Sequence, residues 1–121
     1  MARKHHDPVA WQQAIALVKA VYAASERFPA SEKYGLTSQM RRAAISVPAN
    51  IAEGVGRSGA KDRIRFFVIA RGSLTELDTY AVLAKEIGYT SDLYEPNKII
   101  DQLFGPIGGL INAERRKGGS A

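Results

Sequence analysis

Apolar residues return at every third or fourth position along most of the chain, and nowhere do they alternate over the length of a useful strand. That period admits one kind of element, the amphipathic helix, and four such segments follow one another, punctuated by proline and glycine. The chain has 121 residues, enough for one domain with its own core. The pattern predicts an all-α protein. Short connections point to an antiparallel up-down-up-down four-helix bundle over residues 1–117, with a disordered tail at 118–121.

The first helix is expected from Asp7-Pro8, an N-cap followed by proline at the first helical position, to about Arg27, where Phe28-Pro29 stops it. It carries two adjoining apolar stripes. One is Trp11, Ile15, Val18 and Tyr22; the other is Ala10, Ala14, Leu17, Val21, Ala24 and Phe28. Between Pro8 and Ser25 the only charge is Lys19. A helix in a small monomeric bundle needs one apolar face. Two faces predict burial on two sides, one within the chain and one against a second copy, and Ala10, Ala14, Leu17 and Val21 are assigned to that oligomer interface. The extra alanines also read simply as good helix formers.

The second helix is LTSQMRRAAISVPANIAEG, Leu36 to Gly54, capped by Thr37 or Ser38 and ended by Gly54 in the left-handed conformation. Met40, Ala44, Val47 and Ile51 form its inward stripe. Pro48 deprives the Ala44 carbonyl of its donor, which predicts a kink. Asn50 and Glu53 share a face with Arg42 and Ser46. That face reads either as a polar groove or as a buried hydrogen-bond network along the bend, and the freed carbonyl favours the network. The third helix runs from about Gly59 to Ile87, about 44 Å, and stops at Gly88. Its Gly72-Ser73 step costs helix stability but allows a close crossing, with the bend at Pro48 as its counterpart. The fourth is capped by Thr90, Ser91 or Asp92, carries Leu93, Ile100, Leu103, Ile107 and Leu110, tolerates Pro96 in its first turn, and is expected to kink or break near Gly105-Pro106.

The net charge is +5. Between residues 41 and 71 lie Arg41, Arg42, Arg57, Lys61, Arg63, Arg65 and Arg71, opposed only by Glu53 and Asp62, so this stretch carries the whole excess. Such a block points to a polyanion partner, against the plainer alternative of a solvated face with local ion pairs.

Other motifs assign no chemistry. Gly54 to Gly59 matches G-x-G-x-x-G with an acid about twenty residues on, at Glu76, but a helix precedes the glycines where a dinucleotide site needs a strand. The segment reads as an interhelical turn. A phosphate held at the start of the third helix by Arg57, Ser58 and Lys61 is the intermediate reading. His5 and His6 have no carboxylate at helical spacing, no H-E-x-x-H or E-x-x-H pair occurs, and no serine matches a histidine and an acid. The absence of cysteine excludes disulfides and thiolate metal sites. No catalytic residue, metal or cofactor is assigned, and no enzyme is expected. MARKHHD has no apolar region behind it, and no apolar run reaches the roughly 18 residues of a membrane span, so a cytoplasmic protein is expected, away from the membrane.

The stretch LTSQMRRAAISVPANIAEG resembles the signature of the four-helix-bundle family named after the 23S rRNA intervening-sequence protein, and ARGSLTELDTYAVLAKEIGY, Ala70 to Tyr89, resembles that family's third helix. The similarity covers about residues 8 to 95; the fourth helix, with Pro106 and its paired glycines, departs from it. The resemblance implies a ring-like homopentamer, and structural roles for Pro48, Asn50, Glu53, Gly54 and Gly72. Some members of the family are encoded inside insertions in ribosomal RNA genes. The family is similar to the accessory variability protein of diversity-generating retroelements, a basic pentameric barrel that binds nucleic acid and partners a reverse transcriptase. Arg41 and Arg42 match the motif's basic pair. The expectation is a non-enzymatic homo-oligomer that binds structured RNA or DNA through a basic surface. The alternative is a protein-interaction scaffold or accessory subunit, with a protein partner and no nucleic-acid binding of its own.

Overall fold

The computed structural model describes residues 3–90 and 92–118. Ser91, a candidate cap of the fourth helix, and residues 119–121 of the expected tail lie outside the described residues. Four helices make up the fold: α1 (Val9–Ser25), α2 (Leu36–Val55), α3 (Ala60–Ile87) and α4 (Tyr94–Arg116). Short 3-10 turns at Lys4–His6 and Ala30–Glu32 precede α1 and α2.

Helix α1 packs on α2 and α4, and α3 packs on the same two; among the described residues no Cα atoms of the diagonal pairs come within 8 Å. Side-chain contacts define which ends meet. Arg41, early in α2, bonds Ser25 and Tyr22 at the end of α1. Arg27, just past α1, pairs with Asp92, just before α4. Arg63, early in α3, pairs with Glu114 at the end of α4. The Tyr89 hydroxyl, past the end of α3, donates to Glu32 ahead of α2 at 2.6 Å.

The core runs the length of the four helices and is built from the expected stripes, Leu17 and Val21 of α1, Met40, Val47 and Ile51 of α2, Phe67, Leu74 and Leu77 of α3, and Ile100, Leu103 and Ile107 of α4, joined by Ile111. Here the oligomer assignment is corrected. Ala10, Ala14, Leu17 and Val21 are at most 2% exposed inside the chain's own core and are not available to a second copy. The other stripe faces outward, with Ile15 and Tyr22 exposed and Trp11 and Val18 half-buried. Both stripes satisfy helical spacing, but alanine lets α1 approach its neighbours closely, and the alanine-bearing stripe is the one buried.

Several helix ends differ from expectation. Pro8, not Asp7, is the N-cap of α1, its carbonyl accepting from the Trp11 and Gln12 amides. Helix α2 begins at Leu36, before Thr37 and Ser38, because the Glu32 carboxylate reaches forward to the Leu36 amide at 2.9 Å. Gly54 does not end α2. It lies inside the helix, buried, and the helix closes at Gly56 in the right-handed region. Gly88 takes the left-handed conformation that ends α3, with φ 87°. Helix α4 starts at Tyr94 from an N-cap at Leu93 and runs without a break through Gly105-Pro106. The burial of Leu103, Ile107 and Ile111 on either side of the proline holds that continuity, and Ile111 takes the core place expected for half-buried Leu110.

Candidate nucleic-acid interface

The block of cations between residues 41 and 71 does not stay together in space. Arg41 is a clamp. Its Nε donates to Ser25 Oγ at 2.8 Å, its Nη2 donates to the Tyr22 carbonyl at 3.3 Å, and its guanidinium lies over the Tyr22 ring at 4.4 Å. Arg42 lies beside a groove with Gln39, Ser46, Glu76 and Tyr80. Arg71 sits midway along α3. Arg57, Lys61, Arg63 and Arg65 remain together, at the turn from α2 to α3 and the first turns of α3.

Other cations join them there. The end of α4 brings Arg115, Arg116 and Lys117 beside the start of α3, through the Arg63–Glu114 pair. The turn at Lys4–His6 packs against α2, His5 sharing a pocket with Ala52, Gly56 and Arg57, so Arg3 and Lys4 reach the same end. This end of the bundle holds nine basic residues against Asp7, Glu53, Asp62 and Glu114, a net of +5. The rest of the molecule has eight of each sign and is neutral. Sequence reasoning missed Arg3, Lys4, Arg115, Arg116 and Lys117. The signal that finds them is topological: in an up-and-down bundle the starts of odd helices meet the ends of even ones.

Not every cation at this end faces solvent freely. Arg63 is spent on the fold: Nε and Nη2 reach Glu114 Oε1 at 2.9 and 2.8 Å, and Nη1 donates to the Arg57 carbonyl at 2.9 Å. Glu114 is buried, and the hydrogen bond from Arg63 holds its carboxyl below the usual carboxylate range, against the opposing effect of burial. Arg57 pairs with Glu53 at 3.1 Å and with Asp62 at 3.7 Å. Arg65 shares Asp62 at 3.3 Å. Both guanidiniums lie 4.7 Å from the Phe66 ring. Among the described residues Lys61, Arg115 and Arg116 make no ion pair, and all three are exposed.

The motif residues divide by what they touch. Asn50 Nδ2 donates to the Ser46 carbonyl at 2.8 Å and to Ser46 Oγ at 2.9 Å, and Ser46 Oγ meets Ser73 Oγ at 2.7 Å, joining α2 to α3. The acceptor is Ser46, not the Ala44 carbonyl that Pro48 leaves free. Glu53 is no part of this network; it points to Arg57. Gly54 is where the two helices come close. A Cβ there would stand 2.5 and 2.8 Å from Phe67 Cε1 and Cδ1, and 3.2 Å from the Arg63 carbonyl oxygen. Gly72 is exposed, and a Cβ on it would meet nothing within 4 Å. The close crossing therefore belongs to Gly54 and not to Gly72.

Two other groups with displaced titration are also structural. The hydrogen bond from Tyr89 and then that from the Leu36 amide lower Glu32, and the same contact with Glu32 raises Tyr89. Each displaced group is thus accounted for by a bond that joins elements of the bundle.

No helix among the described residues is long and apolar enough to cross a membrane. Comparison with curated proteins gives no match. A family model, that of the 23S rRNA-intervening sequence protein, matches residues 6–104, from the turn before α1 well into α4. The matched span takes in the Asn50–Ser46–Ser73 network and the Gly54 crossing, and on that match the chain belongs to the 23S rRNA-intervening sequence protein family.

Proposed function

We propose that the protein is a non-enzymatic, homo-oligomeric bundle that binds RNA or DNA through its basic end. The observation that carries this reading is the gathering of the entire +5 excess at one end, from three separate stretches of chain. Nucleic acid answers such a surface because each phosphate neutralised releases counterions. The family's name, which refers to ribosomal RNA, favours RNA as the first probe.

Self-association is supported by apolar surface on two faces of the bundle. Along the outside of α3, Val68, Ile69, Val82, Leu83 and Ile87 are each 40% exposed or more. Between α1 and α4, Ala16, Ala20, Ala23 and Ile99 line an open groove of about 440 Å³, together with Lys19, Arg27, Asp92 and Glu95. Two unlike surfaces favour head-to-tail contacts, which close into a ring when the rotation permits. A cyclic ring sets every basic end on the same face, so charge adds around it.

The test is binding of a labelled structured RNA and of a DNA duplex at two salt concentrations. On duplex DNA the log–log slope is expected near −0.9 per phosphate neutralised. Reversing Lys61, Arg115 and Arg116 to glutamate is expected to abolish binding with the assembly intact, measured by light scattering. Absence of binding at low salt overturns the nucleic-acid reading and leaves the protein-interaction scaffold.

A further inference from the structure

The basic end also holds a pocket of about 370 Å³, between the Lys4–His6 turn and the last turns of α2. Its lining has a simple chemistry. Ala49, Ala52 and Gly56 give it an apolar floor, the His5 imidazole and the Arg57 guanidinium supply flat delocalised groups, and Glu53 supplies a carboxylate.

Both flat groups are held in place. His5 meets His6 edge-on at 4.5 Å and Trp11 edge-on at 5.6 Å, while His6 stacks on Trp11 at 4.4 Å. Arg57 is tied by Glu53 and Asp62 and lies over the Phe66 ring. A preorganised site of this kind loses little side-chain entropy when it is filled.

We infer that this pocket receives one unpaired nucleobase of a bound nucleic acid. The inference rests on the nucleic-acid reading above and adds to it the class of substrate, a strand with an exposed base. A planar ligand suits the imidazole and guanidinium of this lining, because stacking on an aromatic or guanidinium group accepts any base face. The Glu53 carboxylate accepts from an N–H on the base edge. Arg3, Lys4 and Lys61 lie at the same end to meet the flanking phosphates. A base inside a duplex has both faces covered and does not enter, so the pocket separates looped or single-stranded nucleic acid from paired.

The experiment compares a hairpin RNA carrying an unpaired loop with a fully paired RNA duplex of equal phosphate count, at one salt concentration. Trp11, the only tryptophan, reports occupancy through its fluorescence. The full chain is expected to bind the hairpin about tenfold more tightly than the duplex, the order of one stacked base. His5→Ala removes a wall, and Ala49→Leu fills the floor from an exposed helical position; neither alters a formal charge at neutral pH. Both are expected to lose the preference while duplex affinity and salt slope stay as they were. Equal binding of hairpin and duplex by the unaltered chain, or a preference that survives both substitutions, overturns the inference and leaves the basic end as a phosphate surface. Failure to bind either probe at low salt overturns the nucleic-acid reading and this inference with it.

Discussion

Replacing Gly54 by alanine puts a methyl group where α2 and α3 cross. The Cβ would lie 2.5 Å from one Phe67 ring carbon, 2.8 Å from a second and 3.2 Å from the Arg63 carbonyl oxygen. Non-bonded carbons rest about 3.5–4.0 Å apart, so the ring must retreat by about 1 Å. Phe67 is 1% exposed within the core, and the Arg63 carbonyl belongs to the backbone of α3, so neither has room to yield. Overpacking of this kind costs about 1–3 kcal/mol, and two ring atoms with a carbonyl place the cost near 3. Alanine returns about 1 kcal/mol through helix propensity, leaving a net loss of about 2 kcal/mol. At about 2.1 cal/mol/K per residue, the unfolding entropy of 121 residues turns that into a fall in Tm of about 8 °C. The control is Gly72→Ala, exposed in mid-helix with nothing within 4 Å. It gains the propensity without the clash and is expected to raise Tm by about 4 °C. Both are read by thermal denaturation followed by circular dichroism at one protein concentration, since self-association would shift Tm by mass action. A Gly54→Ala protein as stable as the unaltered chain would refute the close-crossing argument.

Glu114→Gln leaves Arg63 without its charged partner and is expected to cost about 2–3 kcal/mol near neutral pH, measured by urea unfolding. Because the Glu114 carboxyl titrates lower in the folded state, its contribution is full above the ordinary value of 4.5 and is lost as pH falls through the lowered folded value. The stability gap between the two proteins should therefore be flat from pH 7 to 5 and close under stronger acid; a gap that widens in acid contradicts the assignment. Ser73→Ala removes one hydroxyl from the Asn50–Ser46–Ser73 chain and is expected to cost about 1 kcal/mol by the same assay. Leu83→Glu places a charge on the outer face of α3 and is expected to reduce the assembly to monomers in light scattering with helix content retained; an unchanged mass excludes that face from the contact.

The four helices were legible because each carries an apolar stripe at helical spacing, and Gly88 marks its boundary because its φ of 87° is the left-handed stop that glycine permits. Gly54 shows where local reasoning fails. A glycine at the end of an apolar helical run reads as a terminator, yet the same absence of a Cβ serves a close approach to Phe67, a residue of another helix, and only the packed pair tells the two uses apart. Helix α1 fails in the same way: two adjoining stripes were visible, but which one turns inward depends on neighbours that the stripe does not name. The start of α2 at Leu36 agrees with the sequence, but the group that caps it is Glu32, which lies outside the window in which a helix normally finds one.

The candidate site was legible in its total and not in its place. The stretch from 41 to 71 carries a net of +5, and so does the basic end of the bundle, but they are different sets of residues. Arg41 and Arg42 go to the far end of α2 and Arg71 to the middle of α3, while Arg3 and Lys4, with Arg115, Arg116 and Lys117, arrive from the two ends of the chain. A run of charge along the sequence spreads over the length of a helix at 1.5 Å per residue; a field that a polyanion can sense needs charges within about a Debye length, roughly 8–10 Å at physiological salt. Folding the chain into four packed helices is what converts the one into the other. Among the cations that reach this end, the ones to vary first are therefore Lys61, Arg115 and Arg116, exposed and without an ion pair among the described residues, and not Arg63, whose guanidinium is already committed to Glu114 and to the Arg57 carbonyl. Reversing Arg63 would damage the junction of α3 and α4 and report on stability, so a loss of binding in that variant would say nothing about phosphate contact.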